Sequence, residues 1–411
     1  MFKAYLKKWV FLSILILANL IIGLKVSIGF FHFFFWLLVS IVVINLSWLT
    51  IEYFGTRIYL ARKIINRVQE DEGLEIEALI KNDGFLPVFN LALEDNLSCA
   101  KDQERKGLFL IEFLRAGSFL KKRYSCLCPA RGKYRVGPFV VYFFDPLGIF
   151  FLKRVYYVYS EVYVYPRTFS IKRFPNLIKG VPPWFGLETA RVSGDEDEFF
   201  GVREYKQGDP IKKIHWISCA RKNELIVKQF QRQAFFRASI IFSLEKDKNF
   251  GEGKERIAEY IIKIAASVAK YLIGRDISLE LIANTGEMVH IPFNRGPEHL
   301  EDILKFLSGA RAESRVSLGE IFEESSRRIP NDTTLIVIML DTDWKYLPIM
   351  LPLEKRNISL IPLLLASSTF IFSSDKQEVV KHVKVKLSRM LNFIPILFSR
   401  GDNLEEVILK Y

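Results

Sequence analysis

Residues Thr334 to Leu340 read TLIVIML, and this uninterrupted apolar run decides the fold of the C-terminal part of the chain. A strand that is covered on both faces has no polar side, so such a run is typical of a central strand in a parallel sheet. Ile358–Leu365, ISLIPLLL, repeats the pattern. Further strands and amphipathic helices surround these two runs, at Ala238–Leu244, Gly253–Leu272, Ile277–Asn284, Pro297–Leu307 and Leu318–Ile329. Because strands alternate with helices, we predict a doubly wound α/β domain over residues 235–411.

Carboxylates follow two of these strands, at the edge of the sheet where ligands bind in doubly wound folds. Glu245 and Asp247 come after the first strand, and Asp341 comes directly after Leu340. Carboxylate oxygens are ligands that Mg²⁺ accepts, so a metal site at these three side chains is one hypothesis. They would serve equally well as caps of their loops, and we favour that interpretation.

Upstream, residues 68–168 carry short runs in which apolar and polar side chains alternate, as in half-buried strands. Leu74–Ile80, LEIEALI, is the clearest run, and a turn at Asn82-Asp83-Gly84 follows it. Comparable runs recur at the spacing of a sandwich, at Val88–Leu93, Phe109–Phe113, Phe119–Cys128, Gly137–Phe144 and Val155–Tyr165. We therefore predict an immunoglobulin-like β-sandwich.

The chain has four cysteines, Cys99, Cys126, Cys128 and Cys219, and none belongs to a Cys-x-x-Cys pair. Cys126 and Cys128 would share one face of a strand, where they cannot easily form a disulfide with each other. No histidine lies nearby in the sequence to complete a zinc site. We expect buried, reduced thiols in a reducing compartment, and no cofactor.

The N-terminal part is strongly apolar. Trp9–Leu24 and Val26–Ile51 lack charged side chains, and only Lys25 separates them. A bilayer core needs about 20 apolar residues per helix, so we predict a membrane hairpin over residues 1–67, with helices at about 7–25 and 29–51. A cleaved signal peptide is the alternative, but no small-residue cleavage site follows the first run. We expect the polar His32 and Asn45 to hydrogen-bond between helices, within the hairpin or in a homo-oligomer.

Charge indicates how this hairpin is oriented. Half of the net charge of +12 lies in residues 1–70. The bases flank the hairpin on both sides, at Lys3, Lys7 and Lys8 and at Arg57, Arg62, Lys63 and Arg67. The positive-inside rule then places both termini and the soluble domains in the cytoplasm.

A connecting segment, residues 169–234, lies between the sandwich and the α/β domain. Its centre, Phe199–Phe230, reads FFGVREYKQGDPIKKIHWISCARKNELIVKQF. This stretch, which we call the signature segment, is too dense in specific side chains to be a plain linker. The side chains that we single out are Arg203, Glu204, Tyr205, Gly208, Asp209, His215, Trp216, Ser218 and Arg221. Gly208 predicts a turn, and Asp209 and Pro210 predict the N-cap and first position of a short helix that extends to about Ala220, before a strand at Leu225–Phe230.

Three interpretations of the signature segment compete. The favoured one is a buried polar network that joins Arg203, Glu204, Asp209 and Arg221, with Trp216 packed beneath it. The second is a binding surface, because eight bases outnumber three acids between residues 199 and 232 and could hold an anionic ligand or an acidic partner. Nucleic acid is not expected as the partner, since no nucleic-acid motif is present.

The third interpretation is catalytic, and it is the least favoured. Asp209, His215 and either Ser218 or Cys219 could form an acid, base and nucleophile set. However, the Gly-x-Ser-x-Gly pattern of a nucleophile elbow is not in the sequence. We therefore expect a protein that is not an enzyme.

The order of motifs in the signature segment resembles a known family. Gly201–Tyr205, Gly208-Asp209-Pro210, Ile214–Trp216, Ser218–Arg221 and Leu225–Lys228 follow the signature of the bacterial and archaeal "domain of unknown function 58" family. The resemblance covers nearly the whole chain. It implies that the C-terminal domain is similar to a von Willebrand factor A domain. It also implies a prokaryotic protein that works with a MoxR-type AAA+ ATPase.

Metal binding is not expected from this resemblance. A domains of this kind often hold a metal through an Asp-x-Ser-x-Ser motif after the first strand. Here Ser243–Asp247 reads SLEKD, which lacks the leading aspartate and both serines.

Together these features predict a multi-pass protein of the cell membrane, whose partners are the lipid bilayer and the ATPase. It would act as a non-enzymatic scaffold or adaptor in envelope or complex assembly. Two alternatives remain open. One is an anion-binding or hydrolytic protein that uses residues Arg203–Arg221, and the other is a metal-dependent A-domain binding protein.

Overall fold

The computed structural model describes residues 2–26, 29–101, 105–172, 191–194, 198–207, 209, 211–233, 237–331, 333–356, 358–371 and 396–409. The chain divides into two compact units, Met1–Arg167 and Thr168–Tyr411. Each unit has hydrophobic cores of its own.

The first unit begins with two apolar helices, α1 (Phe2–Val26) and α2 (Gly29–Gly55). Both are long and apolar enough to cross a membrane by length and composition. The helices approach closely at Gly23, where an added Cβ would lie 3.3 Å from the ring of His32. Asn45 does not bond to the other helix as expected. Its amide nitrogen donates to the carbonyl oxygen of Ile41 (2.8 Å), one turn back in its own helix.

A β-rich region follows, as predicted. Its strands are β1 (Ile58–Ile64), β2 (Val68–Gln69), β3 (Glu72–Asn82), β4 (Val88–Asn96), β5 (Lys106–Leu114), β6 (Phe119–Cys128), β7 (Gly132–Val136), β8 (Phe139–Phe144), β9 (Phe151–Tyr156) and β10 (Ser160–Tyr165). They form sheets in the orders β1-β3-β6, β2-β10-β7 and β5-β4-β8-β9. The alternation read from LEIEALI holds, because Leu74, Ile76, Ala78 and Ile80 are all buried.

The first strand differs from expectation. β1 pairs with β3 along its whole length, although residues 58–64 fall in the range that we assigned to the hairpin. Its sequence, IYLARKI, contains two bases that we had counted as charges flanking the membrane helices. One of these bases, Arg62, is in fact fully buried.

A buried ion pair joins β1 to β4. The guanidinium of Arg62 donates from Nε and Nη2 to the two carboxylate oxygens of Asp95, with 3.0 Å for the Nε bond. The hydroxyl of Tyr124 donates to the same carboxylate, and the guanidinium lies 4.2 Å from the ring centre of Phe139. Arg62 Nη1 also donates to the carbonyl oxygen of Val136 (3.1 Å). The pair therefore connects strands from all three sheets of the β-rich region.

The end of α2 packs directly on this region. Leu49 is buried in the core beneath β4 and β8. The backbone N–H of Phe89 donates to Glu52 Oε1 (2.6 Å), and Arg154 donates to the carbonyl oxygens of Tyr53 and Thr56. A cation at the last carbonyls of a helix also complements the helix dipole. Only two residues separate α2 from β1.

The second unit begins with a small antiparallel sheet in the order β11-β13-β12, formed by β11 (Arg191–Gly194), β12 (Glu198–Glu204) and β13 (Ile226–Gln233). A 3₁₀ turn at Ile211–Lys213 and helix α3 (Trp216–Lys222) lie between β12 and β13. The predicted helix from Pro210 to Ala220 is therefore shorter and begins later. Gly208 and Pro210 lie outside the described residues.

The rest of the second unit is an α/β sheet, as predicted. Its elements are β14 (Arg237–Ser243), α4 (Ile257–Ile273), β15 (Ser278–Asn284), β16 (Met288–Asn294), α5 (Gly296–Gly309), α6 (Leu318–Ser326), β17 (Thr333–Leu340), α7 (Leu347–Met350), β18 (Ser359–Leu365), α8 (Ser368–Ile371), β19 (Ile396–Phe398) and α9 (Leu404–Leu409). The strand order is β16-β15-β14-β17-β18-β19, and β16 alone among these is antiparallel to its neighbour.

Both faces of this sheet are covered. Alternate residues of β14 enter different cores, with Ile240 and Phe242 in one and Ile241 in the other. Helices α4 and α5 cover the first face, and α6 covers the second. All eight residues of β17 are buried, which explains why its sequence has no polar side.

Candidate functional site

Backbone hydrogen bonds fix the loop and helix of the signature segment against β13. The N–H of Tyr205 donates to the carbonyl oxygen of Leu225, and the N–H of His215 donates to that of Ile226, both at 2.8 Å. Between these two bonds, Ile214 and Val227 form a β-bridge, and both side chains are buried. The loop between β12 and α3 is therefore held against β13 at both of its ends.

An ion pair closes the loop from the other side. Arg203 donates from both terminal nitrogens to the carboxylate of Asp209, at 2.6 and 2.7 Å. The hydrogen bond from Arg203, and next the N–H of Lys206 at 2.8 Å, lower the pKa of Asp209 to about 2. The carboxylate of Asp209 therefore remains ionised at neutral pH and binds the loop to β12.

This pair is only part of the predicted network. The structure brings Arg203 and Asp209 together, but their side chains are 36% and 17% exposed rather than buried. Glu204 contributes its backbone carbonyl, which accepts from Arg203 Nη1 (2.9 Å), while Arg221 is exposed on α3. The predicted N-cap role of Asp209 is wrong, because α3 begins at Trp216 and the residue before it is His215.

The catalytic interpretation finds two of its members in contact. His215 Nδ1 and Ser218 Oγ lie 2.6 Å apart. Cys219 points instead toward β13, where its Sγ accepts from the N–H of Ile226 (3.1 Å). The carboxylate of Asp209 is engaged by Arg203, so the predicted acid is bound to a base outside the set.

Trp216 does not pack beneath the network. Its side chain is 65% exposed, and apolar neighbours in the segment are exposed as well, with Ile211 at 70%, Ile217 at 64% and Leu225 at 50%. Exposed bases accompany these four residues, at Lys206, Lys212, Arg221 and Lys222. We call the four apolar residues and these bases the signature surface. Tyr205, by contrast, is only partly exposed.

The predicted metal ligands are not brought together. Asp247 is exposed, and Asp341 accepts from the backbone N–H (2.9 Å) and hydroxyl (2.6 Å) of Ser367. The ammonium group of Lys248 lies between Glu245 and Asp343, at 2.8 Å from a carboxylate oxygen of each. A lysine thus holds the position where a cation would bind, and the loop-cap interpretation fits Asp341. The metal hypothesis for Glu245, Asp247 and Asp341 stays a prediction, and in this arrangement Lys248 neutralises Glu245.

Sequence reasoning missed a cluster of thiols in the β-rich region. Cys99, Cys126 and Cys128 are buried, and their sulfur atoms all lie within 4.8 Å of one another. Hydrogen bonds from Cys126 and Cys128 lower the pKa of Cys99. Hydrogen bonds with Cys128 and Cys99, together with burial, raise the pKa of Cys126. The spacing of Cys126 and Cys128 was a signal for a shared face. Nothing in the sequence indicated that the turn after β4 would bring Cys99 to it.

Comparison with known families bears directly on the signature segment. Residues 201–348 match the family model described as "Protein of unknown function DUF58". This segment belongs to the DUF58 family. The DUF58 match begins in β12, includes the whole loop and α3, and continues through β17 of the α/β sheet. It confirms the family that the motifs indicated.

Solved structures offer only distant likenesses. The CARDB domain of the PF1109 protein from Pyrococcus furiosus, in complex with di-metal ions, is 15% identical, with 27% of this chain and 94% of that chain covered and a TM-score of 0.20. The putative ApaA protein from Bordetella pertussis is 11% identical, with 26% and 93% covered and a TM-score of 0.18. Comparison with curated proteins gives no match. Function must therefore be argued from the chain itself.

Proposed function

We propose that this DUF58 protein is a membrane-anchored, non-enzymatic scaffold that faces the cytoplasm and binds a MoxR-type AAA+ ATPase through the signature surface. The observation that carries the proposal is the exposure of Ile211, Trp216, Ile217 and Leu225 on a backbone that hydrogen bonds hold in place. These four large exposed apolar side chains fall within about fifteen residues of sequence, and exposed apolar patches are typical of binding sites for other proteins.

The composition of the surface supports a protein partner. Tryptophan is enriched among the residues that carry most of the binding energy at interfaces, and a polar or charged rim usually surrounds such residues. Here the exposed charged residues of the segment are mainly basic, with four bases in the signature surface against Glu204 and Glu224, so they would favour an acidic surface on the partner. Arg203 is already bonded to Asp209, which argues against its use as the main ligand for a free anion.

The proposed architecture refines the described fold. In it, the sheets of the β-rich region form an immunoglobulin-like sandwich, which alternating burial along β3 supports. The α/β unit would be a von Willebrand factor A-like domain, supported by parallel central strands with helices on both faces. The ammonium group of Lys248 already lies between the carboxylates of Glu245 and Asp343. We therefore propose partner binding that needs no metal ion at these carboxylates.

Cytoplasmic orientation rests on the flanking bases. Because Arg62 is buried in an ion pair, it does not contribute to the positive-inside bias. Lys3, Lys7 and Lys8 remain in the first two turns of α1, and Arg57, Lys63 and Arg67 remain after α2. A C-terminal fusion to green fluorescent protein is expected to fluoresce, whereas a fusion to alkaline phosphatase is expected to be inactive. The reverse pattern would contradict the orientation.

A binding measurement tests the partner. Full-length protein in nanodiscs would be immobilised and titrated with the MoxR-type ATPase of the same genome, with ATP and with ADP. We expect Trp216→Ser with Ile217→Ser to weaken binding at least about 30-fold, since a central interface residue contributes about 2 kcal/mol or more. Ile349→Ser is the matched control, because Ile349 is an exposed isoleucine of the same unit outside the signature segment. Wild-type protein that does not bind, or equal losses in both variants, would refute the proposal.

A further inference from the structure

The three thiols of the β-rich region meet because of strand geometry. Cys126 and Cys128 are two residues apart on β6, so both side chains point to the same face. Opposite them in the register with β3 are Leu74 and Glu72. Cys99 reaches the same core from the turn that follows β4. One strand and one turn therefore bring the three sulfur atoms close together.

The spacing of the sulfur atoms fits one metal ion. At a metal–sulfur distance of 2.3 Å, three sulfurs in a planar trigonal arrangement lie about 4.0 Å apart. Cys99 Sγ and Cys126 Sγ are 4.0 Å apart, and every pair among the three thiols lies within 4.8 Å. The side chains therefore need to close by less than about 1 Å to surround an ion.

The surroundings discriminate between metals. The three side chains are at most 3% exposed, and the core around them is mainly aliphatic, with Val68, Leu74, Val136 and Val164. Two tyrosines also pack against this core, but the hydroxyl of Tyr124 donates to Asp95 and that of Tyr134 donates to the carbonyl oxygen of Ala130 (2.9 Å). Structural zinc sites take four ligands, and a site with three protein ligands completes its shell with water. This lining disfavours such a water, because ordered water in an interior needs polar partners and the nearby tyrosine hydroxyls already donate elsewhere. Soft thiolate ligands also select Cu(I), for which three sulfurs suffice.

We propose that Cys99, Cys126 and Cys128 form a trigonal binding site for one Cu(I) ion. Each thiol that ligates as a thiolate releases its proton to solvent, so binding strengthens as pH rises. This site lies in the first unit and does not depend on the signature surface. It goes beyond the expectation, drawn from the sequence, of buried and reduced thiols.

A competition titration tests the site. The full-length protein in detergent would be titrated anaerobically with Cu(I) against a colorimetric Cu(I) chelator, and X-ray absorption would identify the neighbours of the metal. We expect one equivalent of Cu(I) with three sulfur neighbours. Cys126→Ala and Cys128→Val are expected to lower the affinity at least about 100-fold, since even residues behind the ligands change metal affinity by 10- to 100-fold. Cys219→Ala is the matched control, because Cys219 lies in the second unit.

A second measurement needs no variant, in case the substitutions prevent folding. Bound Cu(I) would protect three of the four thiols of the wild-type protein from alkylation during a brief unfolding pulse, and mass spectrometry would identify them. Several results would overturn the proposal. They are the absence of tight Cu(I) binding, an unchanged Cu(I) affinity in Cys126→Ala, fewer than three sulfur neighbours of the metal, and protection of Cys219 in place of the cluster.

Discussion

Replacing Arg62 by methionine leaves a buried carboxylate without its cation. The side chains of Asp95 and Arg62 are both fully buried. After the substitution, the hydroxyl of Tyr124 is the one side-chain donor to this carboxylate that remains among the described residues. Breaking a buried pair by removing one partner costs about 3–5 kcal/mol. At 1.4 kcal/mol for each factor of ten, this loss corresponds to opening of the β-rich region that is about 100- to 4000-fold more frequent.

Hydrogen exchange measures this opening directly. The full-length protein in nanodiscs would be labelled in D₂O, and peptides from β4 and β8 would be compared between variants. Arg123→Met is the matched control, since Arg123 also bonds to a carboxylate (Glu77, 2.9 Å) but its side chain is 76% exposed. We expect little change in the control, because exposed ion pairs contribute little. Exchange in Arg62→Met that rises by less than tenfold would refute the reasoning.

The pH dependence provides an independent check. Burial raises the pKa of Asp95, although the hydrogen bond from Arg62 lowers it. Loss of Arg62 raises this pKa further, so the folded state binds the proton more tightly than the unfolded chain, where the pKa is about 3.9. Stability of the variant therefore rises as pH falls toward that value. Adding Asp95→Asn removes the charge, and we expect the double variant to recover at least tenfold in protection at neutral pH.

Three further predictions concern the second unit. Arg203→Gln is expected to raise the pKa of Asp209 from about 2 toward its ordinary value, and an NMR titration of labelled aspartates would measure this shift. Because the pKa of Asp209 is depressed in the folded wild-type protein, the stability that the ion pair contributes is lost only as pH falls from about 4 to 2. Calorimetry with Mg²⁺ is expected to give no heat with the wild-type protein but binding in Lys248→Met, because the lysine holds the position between two carboxylates; heat in the wild type would contradict this. Ser317→Ala is expected to destabilise α6 by about 1 kcal/mol in exchange measurements, since the hydroxyl caps the helix by accepting from the N–H of Glu320 (3.4 Å); unchanged exchange in α6 would contradict the assignment.

Sequence predicted the elements whose burial is uniform. TLIVIML became β17 because a fully apolar run leaves a strand no side to expose, and LEIEALI became β3 because its alternation matches one buried face. β16, with the sequence MVHIPFN, was missed because its side chains are only partly buried and because it contains Pro292. Proline is tolerated at the edge of a sheet, and β16 is an edge strand.

The site was less predictable because its contacts depend on distances that no local pattern encodes. Arg203 and Asp209 were identified as partners, since six residues and a turn separate them. The position of Trp216 was wrong because the helix begins later than the Asp209 and Pro210 signals indicated, which changes the side that each residue faces. Lys248 was overlooked because a long flexible side chain can fold back to a carboxylate three residues earlier. The second partner of Lys248 is Asp343, which lies 95 residues away, and such a pairing cannot be predicted from a single sequence.

The direct junction between α2 and β1 has a mechanical consequence. Val42 and Leu49 both pack on the core of the β-rich region, and the ring centre of Trp48 lies 6.0 Å from that of Phe89, so the contact extends over about the last four turns of α2. Two residues lie between helix and strand, and Arg154 of β9 donates to the carbonyl oxygens of Tyr53 and Thr56, so no flexible linker separates α2 from the sheet. Any tilt of α2 would therefore rotate the β-rich region with it.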